Sequence, residues 1–295
     1  MKVAVIGATG QLGVDLCRVF SAQGATVFAL THREIDVSAS GQVERVLSAI
    51  EVDVVISTAA FHKVEECEQQ PAQSFAVNAI GPRNLAHVCR KKNAVLVHFS
   101  TDYVFDGAQR RPYSECDLPL PLNVYGVSKL AGEHMLRLTW ERHFVVRTCG
   151  LYGVAGSSGK GGNFVETMLK KAADGTPIRV VNDQVLTPTF TGDSPGAVSK
   201  LVRTEAYGLY HISAEGECSW YEFARKIFEL EKLAVDLTPV STTEFPSPVR
   251  RPPYSVLSKG KLKQVGIEMP RWEDGLRRYL TARRDARKAA NTRMR

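Results

Sequence analysis

No stretch of the chain approaches the ~18 consecutive apolar residues of a membrane span, and Val3–Ile6 before Gly7 is too short for the core of a secretion signal. The chain therefore reads as soluble and cytoplasmic. Its six cysteines, at 17, 67, 89, 116, 149 and 218, include no two at the spacing of a zinc knuckle or a redox pair. They read as reduced thiols, and with no local cluster of carboxylates either, no metal is expected. Repeats and low-complexity tracts are missing too. With 44% hydrophobic and 23% charged residues, disorder, collagen and a disulfide-stapled miniprotein are excluded as global descriptions. What the chain has in excess is positive charge, a formal net of +7. Nine Lys/Arg against three Asp/Glu fall between Arg271 and Arg295, which leaves 29 against 28, or +1, for residues 1–270. The excess thus reads as a solvated, partly frayed terminus, and neither nucleic acid nor a membrane surface is expected as a partner.

Short runs rich in Val, Ile and Leu recur at Lys2–Ile6, Thr26–Leu30, Val52–Ser57, Val95–Ser100 and Phe144–Arg147, as in parallel strands buried on both faces. Helical spacing fills the intervals at Gln11–Gln23, Ser40–Ile50, Pro71–Lys92 and Asn123–Thr139. Such alternation predicts an α/β fold, a Rossmann doubly wound parallel sheet. After Arg147 the rhythm changes. Helices are predicted at Phe164–Ala173, Gly192–Arg203, Trp220–Leu233 and Trp272–Arg284, with short strands at Ile178–Val181, Gly208–Ile212 and Leu237–Val240. The reading is a nucleotide-binding domain over 1–150, a smaller lobe over 151–285 and a basic tail over 286–295. The strands at 178–181 and 237–240 are expected to rejoin the main sheet.

Gly7-Ala-Thr-Gly10-Gln11-Leu12-Gly13 ends the first strand and opens the first helix. Glycines there allow a sharp turn, a close approach of backbone N–H groups to a diphosphate, and tight packing of helix on strand, while the helix N-terminus attracts the anion. The second strand ends in Thr31-His32-Arg33 with no carboxylate before Glu34, and a guanidinium there suits the 2′-phosphate of NADP. Asp36 is close enough in sequence to contact the adenosine instead, so NADH stays open.

Tyr125 and Lys129 stand at i and i+4, on one face of the helix that follows the fourth strand. A cation beside a phenol favours the phenolate, lowers its pKa and makes it a usable proton donor. The fourth strand ends in Ser100-Thr101-Asp102-Tyr103, at the edge where ligands of open α/β sheets bind. His98 and His211 lie inside apolar runs and read as core, as does Cys149.

Together, the glycine loop, Ser100–Gly107 and Asn123-Val-Tyr-Gly-Val-Ser-Lys-Leu-Ala-Gly-Glu133 resemble the extended short-chain dehydrogenase/reductases, and among them the dTDP-4-dehydrorhamnose reductase family. The similarity runs on through Gly162-Asn163-Phe164, Asn182-Asp183-Gln184, Thr187-Pro188-Thr189, Gly208–His211 and Arg251-Pro252, so it spans nearly the whole chain. It implies a reductase that passes a hydride from NADPH to the 4-keto carbon of a nucleotide-linked deoxysugar. By carry-over, Tyr125 protonates the alkoxide, Lys129 holds the nicotinamide ribose and tunes Tyr125, and Thr101 hydrogen-bonds the keto oxygen. The resemblance also implies a cofactor wall at Ala59, Ala60 and Phe61, an adenine contact at Asp36 and Val37, and a substrate side at Val64, Asp102, Tyr103 and Asn163. A homodimer is a further implication.

Two departures concern the sugar. Arg147-Thr148-Cys149-Gly150 stands where family members commonly carry Arg-Thr-Ser-Trp, and Phe61-His62-Lys63-Val64-Glu65 where they often carry Tyr-Thr-x-Val-Asp. Losing a bulky aromatic can forfeit on the order of 1–3 kcal/mol of contact and admit a differently substituted sugar. Ala108–Leu122 and Leu151–Gly162 read as loops that close over the substrate, with Lys160 available to its phosphates. Two alternatives remain. An epimerase or 4,6-dehydratase is one, although the Asp-Glu pair of dehydratases reads Asp102-Tyr103 here. The other is a non-catalytic NADP-binding subunit resembling the regulatory subunit of methionine adenosyltransferase.

Overall fold

Val3 and Val5 turn to one side of the first strand and Ala4 and Ile6 to the other, and all four are buried. A strand of this kind must be covered on both faces, and alternating helices do so. The computed structural model describes residues 1–156, 162–245 and 247–293. The chain runs β1 (Lys2–Ile6), α1 (Gln11–Ala22), β2 (Thr26–Leu30), α2 (Ser40–Ser48), β3 (Val54–Ser57), α3 (Val64–Gln69) and α4 (Pro71–Phe75). One turn of π-helix (Ala76–Ile80), α5 (Gly81–Lys92), β4 (Val95–Thr101), a 3-10 turn (Asp102–Val104), α6 (Val124–Thr139) and β5 (His143–Thr148) complete the first half. The second half holds β6 (Leu151–Tyr152), α7 (Phe164–Ala173), β7 (Ile178–Val181), β8 (Val185–Leu186), β9 (Thr189–Phe190) and α8 (Ser194–Leu201). It ends with β10 (Gly208–His211), β11 (Cys218–Ser219), α9 (Trp220–Glu231), β12 (Leu237–Val240), α10 (Gly260–Gln264) and α11 (Trp272–Arg293).

The main sheet has six strands in the order β2-β1-β3-β4-β5-β10, parallel throughout. One face is packed by α1 and α8, the other by α2, α5 and α6. The chain reverses direction across the sheet between β1 and β3, which opens the crevice where ligands of this fold bind.

Two expectations need correction here. β7 and β12 do not rejoin the main sheet; they pair with each other in a separate two-stranded sheet, and β10 supplies the sixth strand. β7 alternates buried Ile178 and Val180 with exposed Arg179, so it needs cover on one side only, and the α7 and α9 cluster provides it. The basic terminus is not a frayed tail through this region either, since α11 continues as helix to Arg293. Its arginines reach back to acids of the body: Arg278 to Asp193 at 2.8 Å, Arg284 to Glu231 at 2.8 Å, and Arg287 to Glu166 at 3.0 Å.

The segment predicted as one helix over Pro71–Lys92 is broken by the π turn. Pro82 has no N–H to offer the carbonyl of Asn78, and the Gly81 N–H bonds instead to Ala76, five residues back.

Candidate active site

A cavity of about 740 Å³ opens beyond the C-terminal ends of β1, β3 and β4 and reaches α7 and α9 of the second half. Gly7, Gly10, Gln11 and Leu12 form its wall at β1, Asp36 and Val37 its wall beyond β2, and Ala59, Ala60 and Phe61 its wall beyond β3. On the far side stand Val64, Thr101, Asp102, Tyr103 and Asn163, with Tyr125 and Lys129 rising from α6.

At the loop, a Cβ on Gly13 would stand 2.1 Å from the carbonyl oxygen of Gly7, so only glycine lets α1 begin this close to the strand. Gly10 is the N-cap of α1 and offers no side-chain acceptor to the amides of the first turn. The buried Oε1 of Gln11 likewise has no partner among the described residues. Unmatched amides at a helix N-terminus, on a turn without side chains, fit a diphosphate. Thr58 caps the other lip, donating to the carbonyls of Ile6 at 2.9 Å and Gly7 at 3.2 Å.

Three residues expected at the cofactor are not in the cavity wall. Gly13 acts through packing, as described. Thr31 and Arg33 lie outside because the chain turns after β2: Thr31 N–H donates to Glu34 at 2.6 Å, and Arg33 stands exposed on the rim while its neighbour His32 faces the cavity. Asp36 lines the wall, but its Oδ1 already accepts from the amide and hydroxyl of Ser38 at 2.9 and 2.7 Å.

The wall at Phe61 is fixed from the π turn. Asn78 accepts the Phe61 N–H and donates to the Phe61 carbonyl, both at 2.9 Å, and donates to Ser128 of α6 at 3.0 Å. Asn123 begins α6, accepting from Gly126 N–H at 2.9 Å while its amide donates to the Arg250 carbonyl at 2.9 Å. A Cβ on Gly126 would stand 2.2 Å from the Tyr103 carbonyl, so glycine at this position is what brings the first turn of α6 against the 3-10 turn. Tyr125 and Tyr103 meet edge to face, 5.9 Å apart.

Tyr125 and Thr101 both line the cavity. Burial pushes the pKa of the Tyr125 phenol up, while the Thr101 hydroxyl favours the phenolate and works against that rise. Lys129 does not lower it in the way the i, i+4 spacing suggests. Its ammonium donates to the Phe99 carbonyl at 2.6 Å and lies 3.2 Å from His98 Nε2. Burial lowers Lys129 to about 8, with Glu133 opposing. His98 is buried, as expected, and held well below its ordinary pKa by burial and by Lys129, so it stays neutral and can accept a hydrogen bond from the ammonium.

Other expectations change more. Asn163 lines the cavity, yet its side chain is committed to structure. It caps α7 by accepting from Glu166 N–H at 3.1 Å and donates to Gly153 O at 2.9 Å and Tyr279 Oη at 3.2 Å. Cys149 is more than packing, because its thiol donates to Asp102 at 3.0 Å. Ala108–Leu122 is not a lid. Tyr113 N–H donates to the Val256 carbonyl at 2.8 Å and Glu115 accepts from His211 N–H at 3.0 Å, so the segment is docked away from the cavity. Of Leu151–Gly162, Leu151, Tyr152 and Gly162 line the wall, and Lys160 lies outside the described residues.

Sequence reading missed Thr148, His32 and the aromatic wall of Trp220 and Phe223. Thr148 is the register partner of Thr101 on the neighbouring strand, and its buried hydroxyl has no partner among the described residues. Trp220 packs on Phe164 at 4.6 Å between ring centroids, so the cavity has an aromatic wall although residue 150 is glycine.

A family model described as the RmlD substrate binding domain matches residues 1–284. The spore coat polysaccharide biosynthesis protein SpsK of Bacillus subtilis is 41% identical over 285 residues, covering 97% of this chain and 99% of that protein. A dTDP-4-dehydrorhamnose reductase of Mycolicibacterium smegmatis is 37% identical over 285 residues, covering 95% of this chain and 85% of that one. Among solved structures, the dTDP-4-dehydrorhamnose reductase of Bacillus anthracis in complex with NADP is similar at a TM-score of 0.90 and 38% identity, over 95% of this chain and 99% of that one. The likeness extends over the glycine loop, the cavity wall and the second half alike, and the chain belongs to the RmlD substrate binding domain family.

Proposed function

We propose that this protein is an NADPH-dependent reductase of a nucleotide-linked 4-keto-deoxysugar. The observation that carries the reading is the meeting, in one cavity, of a phenol, an ammonium and a threonine hydroxyl with the side-chain-free N-terminus of α1. Relatives named dTDP-4-dehydrorhamnose reductase, one of them solved with NADP, support it.

NADPH, when bound, supplies the hydride. The residues of the chain do the rest. The first-turn amides of α1 take the diphosphate. Asn78 keeps the wall at Phe61 in place. Arg33, exposed on the rim, is the cation for the 2′-phosphate. Tyr125 gives its proton to the oxygen of the reduced carbonyl, and Lys129, anchored on the Phe99 carbonyl, holds the nicotinamide ribose. Phe164 and Trp220 offer flat apolar surface to the nucleotide sugar.

The test is NADPH oxidation against a panel of nucleotide-linked 4-keto-deoxysugars. The wild type should turn over at least one of them. Tyr125→Phe should lose about 10²–10⁴-fold in kcat and keep NADPH affinity within a few-fold. Normal turnover in that variant removes the assignment of the acid. Tight NADPH binding with no turnover on any sugar favours a non-catalytic binding subunit.

A further inference from the structure

Behind the cavity wall, three polar side chains that are each 0% exposed meet one another: Ser74 of α4, Asn78 of the π turn and Ser128 of α6. None of them lines the cavity.

Asn78 lies one way round only. Its Oδ1 accepts the Phe61 N–H and its Nδ2 donates to the Phe61 carbonyl, both at 2.9 Å, and turning the amide over would set donor against donor and acceptor against acceptor. The second Nδ2 proton goes to Ser128 Oγ, at 3.0 Å. Ser74 donates to the same oxygen at 2.9 Å. A hydroxyl has one proton and two lone pairs, so Ser128, with both lone pairs taken, has only its proton left. It donates that proton to the carbonyl of Tyr125, at 2.8 Å. The residue that carries the phenol is thus joined, through two side chains, to the main chain of Phe61 in the cavity wall.

Two stripes of α6 meet different neighbours here. Tyr125 and Lys129, four apart, line the cavity, while Ser128 and Gly132, also four apart, lie against the π turn. A Cβ on Gly132 would stand 2.1 Å from the Asn78 carbonyl oxygen, the same carbonyl that Pro82 cannot serve with an N–H. Gly132 lets the helix come close, and the hydrogen bonds of Ser128 fix where along the turn it sits. A buried network whose donors and acceptors are matched specifies one arrangement.

We propose that Ser128 is a positioning residue: through Asn78 it sets the distance between the wall at Phe61 and the phenol of Tyr125, and so between a nicotinamide cofactor held by that wall and the proton donor. This rests on the reductase reading and deepens it. Because Asn78 and Ser128 stand outside the cavity, they contribute geometry and no ligand contact. A misplacement of about 1 Å between reacting groups costs up to about a hundredfold in rate.

The experiment compares the wild type, Ser128→Ala and Ser74→Ala by turnover, by NADPH affinity, and by hydrogen exchange of the Phe61 amide in the protein without ligands. Alanine favours helix, so α6 itself is retained in Ser128→Ala. Ser74→Ala takes a hydroxyl from the same buried cluster but leaves the Phe61–Asn78–Ser128–Tyr125 chain whole, so it reports what losing a buried hydroxyl does by itself. Ser128→Ala should lose about tenfold or more in kcat while its NADPH Kd and sugar KM stay within about threefold. Its Phe61 amide should exchange about tenfold faster or more, because Asn78 has lost the acceptor of its second proton. Ser74→Ala should stay within about threefold of the wild type in kcat and in Phe61 exchange. A wild-type kcat or an unchanged Phe61 amide in Ser128→Ala overturns the proposal. So does a Ser74→Ala variant that loses as much kcat as Ser128→Ala, since the cluster would then act by packing alone. In each of these cases the reductase reading stands. A wild type that reduces no keto sugar overturns both.

Discussion

Lys129 is buried, yet among the described residues its ammonium is met by a carbonyl and a neutral imidazole and by no carboxylate at hydrogen-bond distance. The i, i+4 spacing of Tyr125 and Lys129 was legible in the sequence because it is local; the partners of each are not, since Phe99 and His98 arrive on β4 and Tyr103 on the turn that follows it. The same limit explains Asp102 and Cys149, 47 residues apart in sequence and 3.0 Å apart in space. Arg33 shows the converse. Its place after β2 follows from the sequence, but the turn that puts His32 in the wall and Arg33 on the rim does not. If Arg33 meets the 2′-phosphate from there, Arg33→Ala should weaken NADPH by about tenfold or more and leave NADH nearly unchanged. Titration of the variant with both cofactors checks this, and equal losses would remove Arg33 from the reading.

At the scale of elements, α6 is tied to the sheet by a buried pair. Arg147 of β5 donates twice to Glu133 of α6, at 2.9 and 2.7 Å, and Ser100 of β4 donates to the same carboxylate at 2.5 Å. The pair holds the helix bearing Tyr125 at a fixed height over the strand bearing Thr101. Removing one partner leaves a buried charge unpaired, so Glu133→Ala should cost about 3–5 kcal/mol in urea unfolding. Replacing both partners with apolar residues should recover much of that loss. A Glu133→Ala cost below about 1 kcal/mol would mean that the charges are not buried together. The alternating strands and helices of the first half were readable from hydrophobic period alone. The π turn was not, because it depends on what Pro82 withholds from Asn78, and neither was the pairing of β7 with β12, which is a choice between partners that periodicity does not encode.

For the whole molecule, the net charge of +7 proves to be arranged against the body of the protein. On α11, Tyr279 donates to Glu166 at 2.7 Å, and Arg283 and Arg287 each donate to it at 3.0 Å. Burial alone would raise Glu166, but Arg283 and Tyr279 hold it below its ordinary 4.5. A carboxylate lowered in the folded state contributes stability that is full above 4.5 and lost as pH falls through the lowered value. Glu166→Gln should therefore be less stable than the wild type at neutral pH, by about 1 kcal/mol for a cluster part-buried at Glu166 and Arg283 and exposed at Arg287, and the gap should close in acid. Thermal melts of both proteins across pH 3–7 check this; a gap that persists in acid would contradict it.

The central claim is that this cavity moves a hydride from a nicotinamide to a sugar carbonyl. The most direct measurement is mass spectrometry of the product made from NADPH deuterated at the transferring carbon. The account predicts one deuteron on carbon 4 of the sugar, lost together with turnover in Tyr125→Phe. A sugar product without deuterium would contradict it.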